Sequence, residues 1–310
     1  MNILQQRAQA LKAVRDYFFS EKVMEVDSEL LSPYSVTDPY MSAMRATSAN
    51  GRLQGYLQTS PEYAMKKLLS TGCGDIYQLG KVFRADESGK NHSPEFTMLE
   101  WYRLGWDHHQ LMEEVRQVIQ LVTGIDGFTK LTYEQAFESA LGLNPFTATV
   151  RELEVLATSR LGDIPEDMLR DNYLSLLFSE CVETGFEKDK VTFIYDFPAS
   201  QASLAKVQTR SDNSVACRFE AFAGGLELAN GFWELTDAEE QLKRFEEDNR
   251  QRALQGNSPI AVDSELITAL KRGLPECSGV AIGFDRLMMI KQREDDIHNI
   301  LPSVLYRKAD

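Results

Sequence analysis

The side chains with chemical potential cluster on a few strand-like runs. The densest pair spans residues 77–87 and 91–103, both rich in aromatic and β-branched residues. Arg84 closes the first run, and carboxylates lie along the second. Side chains alternate along a strand, so Phe96, Met98, Glu100 and Tyr102 share one face. That face offers a flat aromatic ring, then a carboxylate and a phenol. It suits a ligand with a π-system at one end and a cation at the other. The competing reading is a half-buried hairpin whose glutamate faces water.

A second acidic run, 218–235, reads as a hairpin turning on Gly224 and Gly225. A two-residue turn pairs Ala223 with Leu226 and Glu220 with Ala229. Glu220 and Glu227 then lie diagonally on one face, ~7–8 Å apart. Carboxylates at that spacing repel unless something positive lies between them. Mg²⁺, held by one or two carboxylates plus triphosphate oxygens, would fit. Asn230 and Glu234 have the opposite parity and join the same cavity only if a bulge falls near 229–231. A surface hairpin with scattered acids is the alternative. Further on, 277–290 is a glycine-punctuated strand running into an apolar helix. Glycines such as Gly279 and Gly283 let a flat ligand lie against the backbone. Arg286 at the helix start can meet a phosphate beside the helix's positive end.

The elements that must position these groups follow from periodicity and punctuation. Residues 3–22 read as a helix with Leu4, Ala8, Leu11, Val14 and Phe18 inward, followed by a short strand at 23–26. Residues 32–58 are loop-rich. Ser60-Pro61-Glu62 starts a helix over 61–70, with Ser60 as cap, Pro61 at the first helical position and Glu62 complementing the dipole. A helix over 107–123 ends at Gly124. Residues 126–190 read as a mostly helical insertion, with helices at 133–141, 150–160 and 168–184. A strand follows at 191–195. After the acidic hairpin, Thr236 and Glu239 form a capping box for a helix ending at Gly256, and a shorter helix covers 263–271. No flexible linker divides the chain, so 1–310 is expected to be a single α+β domain.

Bulk composition narrows the function classes. With 310 residues and 43% hydrophobic content the chain can bury a full core. No apolar run is long enough for a membrane span, and the N-terminus does not resemble a signal peptide. Four scattered cysteines without a Cys-x-x-Cys pair read as free thiols of a reducing, cytoplasmic compartment. Net charge is −14 and no basic stripe is present, so extensive tRNA or DNA binding is not expected.

The run from Val82-Phe-Arg84-Ala-Asp-Glu87 to His92-Ser-Pro-Glu-Phe96 and on to Arg103 resembles motif 2 of the class II aminoacyl-tRNA synthetases, in the form of the lysyl branch. Residues 3–29 resemble motif 1, and the stretch ending Gly283-Phe-Asp-Arg286 resembles motif 3. Thr59-Ser-Pro-Glu62 and Glu227-Leu-Ala-Asn230-Gly-Phe-Trp-Glu234 are similar to two further lysyl-type signatures. The likeness runs over about residues 3–305, and five such motifs in order are far more specific than any one. It is closer still to the truncated lysyl-tRNA synthetase paralogues that modify elongation factor P. The resemblance implies an antiparallel β-sheet flanked by helices, a bent ATP, Mg²⁺ and a homodimer. It implies activation of lysine, preferably (R)-β-lysine, as an adenylate, then transfer to a lysine of elongation factor P. No anticodon-binding domain is expected.

Carried over by position, Arg84 would contact the α-phosphate and the amino-acid carboxylate. Asp86, His92 and Phe96 would hold ATP, with Phe96 on the adenine, and Ala85, Ser93 and Leu228 would line its site. Gly283 would give ATP room and Arg286 would hold the γ-phosphate end. Glu220 and Glu227 would bind Mg²⁺. Ser60, Pro61 and Glu62 would meet the amine near the substrate carboxylate, and Asn230 the carboxylate itself. Glu100, Tyr102 and Glu234 would hold the distal ammonium; a buried ammonium has three donors and needs acceptors and opposite charge around it. The chain departs from the lysyl pattern in four places. Ala85-Asp86 replaces Asn-Glu, Ser93 replaces Asn, Ala281 in the substrate site replaces Gly, and Asp27-Ser28-Glu29 replaces Glu-Thr-Pro in motif 1. A minimal lysyl-tRNA synthetase domain, an asparagine-synthetase-like ligase and a silent regulatory paralogue remain as alternatives.

Overall fold

A computed structural model describes residues 2–85, 87–165 and 168–302. Helix α1 (Ile3–Ser20) leads into a two-residue strand, β1 (Met24–Glu25). The stretch expected as loop carries a small three-stranded sheet of β2 (Leu31–Ser32), β3 (Arg45–Thr47) and β4 (Leu53–Leu57). Helix α2 (Glu62–Leu69) precedes the long hairpin of β5 (Ile76–Phe83) and β6 (Glu95–Leu104). Next come α3 (His108–Thr123), β7 (Gly127–Thr132), α4 (Tyr133–Leu141), α5 (Val150–Leu161) and α6 (Arg170–Leu177). Strands β8 (Lys190–Pro198), β9 (Val207–Arg210), β10 (Asn213–Ala223) and β11 (Leu226–Trp233) follow. Helices α7 (Ala238–Leu254) and α8 (Ser264–Gly273) separate them from the final pair, β12 (Cys277–Gly283) and α9 (Phe284–Gln292).

The main sheet runs β1-β5-β6-β12-β11-β10-β8-β7, with β9 added to β10. It is antiparallel except at its two ends, where β1 joins β5 and β7 joins β8 in parallel. The stretch 126–190 is therefore helical only after its first strand. The missed strand, β7, is short and half-exposed, and its residues carry little alternation. One sheet face is closed by α1, α3 and α9, which bury Val14, Phe18, Trp101, Val115, Ile119, Phe219, Ile282 and Leu287 in the main core. The other face has two smaller cores. One holds Tyr133, Phe137, Leu174 and Phe222 from the α4–α6 side. The other holds Met65, Leu69, Phe245 and Leu270 from α2, α7 and α8. Polar side chains occupy the face between them.

Helix α1 buries Val14 and Phe18 as expected and packs Leu11 partly buried against the core, but Leu4 and Ala8 give way to Arg7 and Ala10. Arg7, Ala10, Val14 and Phe18 point inward, while Leu4 is 52% exposed. The cause is polar. Arg7 Nη1 lies 2.5 Å from Asp285 Oδ1 and Nη2 donates to Thr97 Oγ1, while Asp285 Oδ2 accepts from the Thr97 amide at 2.6 Å. This network ties α1 to β6 and to the start of α9, next to Arg286. Capping also differs in detail. Pro61 sits at the N-cap of α2 without a side-chain cap, and Ser60 Oγ only reaches the Glu62 amide at 3.4 Å. Asp237, rather than Thr236, caps α7 by accepting from the amides of Glu239 and Glu240.

A second buried network fixes β6 against α3. Arg103 Nε donates to both oxygens of Glu114 at 3.1 and 2.9 Å, and Nη1 donates to Asp75 Oδ2 at 3.1 Å. Trp101 Nε1 donates to Glu114 Oε2 at 2.8 Å. Removing one partner of such a pair leaves a buried charge unpaired. Arg103→Met is therefore expected to lower unfolding free energy by about 3–5 kcal/mol. Urea denaturation checks this, and the double variant Arg103→Met/Glu114→Leu should recover part of the loss.

Candidate active site

Strand register lays a row of functional side chains across the second face of the sheet. Glu100 of β6 pairs with Ala281 of β12, Ala281 with Asn230 of β11, and Asn230 with Glu220 of β10. The arrangement depends on a bulge. Ala221 pairs with Ala229 and Phe222 with Glu227, which leaves Leu228 as the extra residue. The bulge falls one residue before the expected 229–231 and sets Glu220 opposite Asn230 rather than Ala229. Its physical reason is that Leu228 and Ala229 both turn into the main core. The extra residue switches parity, so Glu227, Asn230 and Glu234 all reach the side that carries Glu220.

Towards the α2 side lies an acidic pocket. Tyr102 Oη donates to Glu100 Oε1 at 2.8 Å, while Glu100 Oε2 is buried with no hydrogen-bond partner. Burial, reinforced by Glu62, raises the Glu100 carboxyl well above its ordinary range. Burial and the neighbouring Glu100 likewise keep the Tyr102 phenol protonated, as a donor must be. Glu234 is only 1% exposed and faces the same space. Burial pushes its carboxyl up to about 7, against the pull of a lysine that the sequence reading did not select. That lysine is Lys66: its Nζ lies 2.7 Å from Glu62 Oε1 and 2.6 Å from Glu234 Oε2. Its sequence signal was the i,i+4 spacing from Glu62 on α2.

The floor of this pocket is Gly279, which pairs with Tyr102. A Cβ there would stand 2.3 Å from Tyr102 Cε1 and 2.6 Å from Glu234 Oε1. Both neighbours are buried and cannot step aside. Overpacking of this kind costs about 1–3 kcal/mol. Gly279→Ala is thus expected to raise KM for the amine-bearing substrate by roughly 10–100-fold. The KM for ATP should stay put, and a parallel rise in both would argue against an amine pocket here.

At the other end of β6 the two arginines Arg84 and Arg286 gather. The Arg84 guanidinium lies over the Phe96 ring, 5.2 Å from its centre. Among the described residues it is otherwise held lightly, by Thr59 O at 3.4 Å and Glu87 Oε1 at 3.6 Å. Arg286 donates from Nη1 to the Glu227 carbonyl at 2.7 Å, and its Nη2 lies 2.7 Å from His92 Nε2. Burial and then Arg286 lower the His92 pKa, so the ring is neutral and its Nε2 accepts from Arg286. Gly283 lies at the β12–α9 junction as the N-cap of α9. Ala85 donates its amide to Ser42 O at 2.8 Å, and Ser93 is buried beside the motif 2 loop. Leu228 sends its side chain into the opposite core, so only its backbone is left for the site. Asp86 lies outside the described residues.

Between the two ends stand three carboxylates. Burial pushes Glu220 up to about 8; Arg218 opposes this, and Glu227 and Glu183 add to it. Arg218 pairs with Glu220 and also donates to Asn230 Oδ1 at 3.2 Å. Glu183 and Arg218 belong to the site but lie outside the expected set. Glu183 follows α6 in sequence, and only folding brings it to the hairpin. Among the described residues no three His, Cys, Asp or Glu side chains form a ready metal cage. The donor set nevertheless fits Mg²⁺, which takes one or two carboxylates and completes its shell with phosphate oxygens.

A largely antiparallel sheet with Arg84, Phe96 and Arg286 at one end and buried acids at the other defines a class II synthetase catalytic core. The family model described as tRNA synthetases class II (D, K and N) matches residues 1–303, and the chain belongs to that family. Within it, the chain is 46% identical over 303 residues to the elongation factor P–(R)-β-lysine ligase of Photobacterium profundum, covering 96% of this chain and 94% of the relative. It is 46% identical over 304 residues to the protein of the same name from Vibrio parahaemolyticus, with the same coverage. The relative from Yersinia enterocolitica, again of that name, is 45% identical over 306 residues, covering 96% and 93%.

Proposed function

We propose that this protein is an ATP-dependent ligase that activates lysine or (R)-β-lysine as an acyl-adenylate and transfers it to a lysine side chain of elongation factor P. One observation carries the substrate reading. Glu62, Glu100 and Glu234 converge on one pocket, and among the described residues only Lys66 balances them and Glu100 Oε2 has no hydrogen-bond partner. A ligand with two ammonium groups would neutralise the remaining charge, and lysine and β-lysine both have two. The partner comes from the names of the relatives.

In this reading the substrate carboxylate attacks the α-phosphorus and pyrophosphate leaves. The elongation factor's lysine amine then attacks the acyl carbonyl, AMP departs and the amine loses a proton. Arg84 neutralises charge growing on the α-phosphate, and Arg286, held by His92 and the Glu227 carbonyl, receives the distal phosphates. Asn230 orients the substrate carboxylate. Glu220 and Glu227 would hold Mg²⁺, which supplies charge neutralisation on the triphosphate when bound. No side chain of the protein forms a covalent bond to substrate; the site works by positioning and electrostatics. The proposal includes a homodimer through the motif 1 region, supported by exposed Phe19 and Met24 at the α1–β1 junction.

Intact-mass spectrometry of elongation factor P tests the whole proposal, after incubation with this protein, ATP, Mg²⁺ and (R)-β-lysine. A parallel reaction uses tRNA and acid-gel charging. A lysyl-sized mass gain with uncharged tRNA is the expected result. Charged tRNA with unmodified factor would make the protein a minimal synthetase instead.

A further inference from the structure

Lys66 is the feature of the pocket that the proposed chemistry does not use. It is 2% exposed, on the inner side of α2, and burying an ammonium is unfavourable without compensation. One carboxylate would suffice for a structural ion pair. Lys66 instead spans two, from different elements: Glu62 of α2 at 2.7 Å and Glu234, just beyond β11, at 2.6 Å. Both are carboxylates that the proposed function assigns to the two amines of the substrate. The neighbouring Lys67 turns away to Asp263 and Glu265 at α8, so it takes no part.

We propose that Lys66 is a positioning residue that bridges Glu62 and Glu234 and fixes where their side chains stand, and so sets the pocket's requirement for a substrate with two ammonium groups. This rests on the lysine-type reading of the pocket. With Lys66 present, three acidic side chains face one resident cation among the described residues, and a diamino acid adds the positive charge that they can still accept. A substrate with one amine leaves a buried carboxylate unpaired and is rejected. Without Lys66, Glu234 loses the foremost influence that lowers its pKa, and the amine that it should hold meets a neutral acid.

The charged and titratable groups facing Lys66 are few. They are Glu62 on its own helix, Glu234, the Glu100–Tyr102 pair of β6, and Cys277 of β12, whose thiol is pushed up mainly by burial. Among these influences, Lys66 is the foremost one lowering Glu234. Its removal therefore moves the pH at which Glu234 ionises upward, in the direction that weakens cation binding at neutral pH.

The test is lysine-dependent ATP–pyrophosphate exchange from pH 6 to 9 for wild type, Lys66→Met, Glu234→Gln and the double variant. Lys66→Met is expected to raise KM for lysine at least tenfold at pH 7. It should shift the acid limb of kcat/KM to higher pH and leave KM for ATP unchanged. The double variant should lose less than the two single losses combined, because Lys66 acts in part through that carboxylate. If Lys66→Met does not fold, Lys66→Gln carries the same test without the charge. An unmoved acid limb, or equal losses for lysine and ATP, overturns the proposal. Wild type without exchange on either lysine isomer overturns the lysine reading itself, and this proposal with it.

Discussion

Arg84→Ala is expected to lower pyrophosphate exchange by at least ~10³-fold while leaving the protein folded. Removing one preorganised donor from a developing oxyanion costs about 10²–10³ in rate, and here a full charge is lost with it. The geometry supports a role held in reserve for ligand. Arg84 ends β5 with its guanidinium over Phe96 at 5.2 Å, and its other contacts are long, 3.4 Å to Thr59 O and 3.6 Å to Glu87 Oε1. Such contacts contribute under about 1 kcal/mol, so the melting temperature should barely move. Arg84→Lys should restore little, because an ammonium lacks the planar fork that grips two oxygens at once. Exchange that survives in the alanine variant would remove Arg84 from the phosphate site.

Helix α4 came out with the bounds read from its pattern, and the hairpin turn at Gly224 and Gly225 fell where the glycines placed it. These are local features. Capping residues, glycines and period fix them within a few residues of chain. What the sequence hid depends on contacts between distant parts. The i,i+4 spacing ties Lys66 to Glu62 alone, yet folding sets Glu234 against it from far along the chain. Arg7 looks like the polar side of an amphipathic helix and is instead drawn inward by Asp285. The bulge was required by parity alone, but its position was settled by Leu228 and Ala229 both entering the core. Motif matching passed over Lys66, Arg218 and Glu183, which act on the charge of Glu234 and Glu220.

Glu234→Gln should raise KM for lysine by roughly 10²–10³-fold, because leaving a buried ammonium without its counter-charge costs about 3–5 kcal/mol. The amide keeps the shape and one acceptor, so packing against Gly279 and Tyr102 survives and the KM for ATP should change little. The pH profile supplies a second, independent reading. In the free enzyme burial pushes Glu234 up to about 7 and also raises Glu100. A carboxyl with a raised pKa is neutral below that value and has no charge to offer an ammonium. Wild-type kcat/KM for lysine should therefore fall as pH drops through about 7. In Glu234→Gln the group that titrates there is gone, and this limb should flatten. A variant that lost lysine and ATP affinity equally, with the limb unchanged, would place Glu234 in the scaffold and leave the distal ammonium to Glu100 and Tyr102.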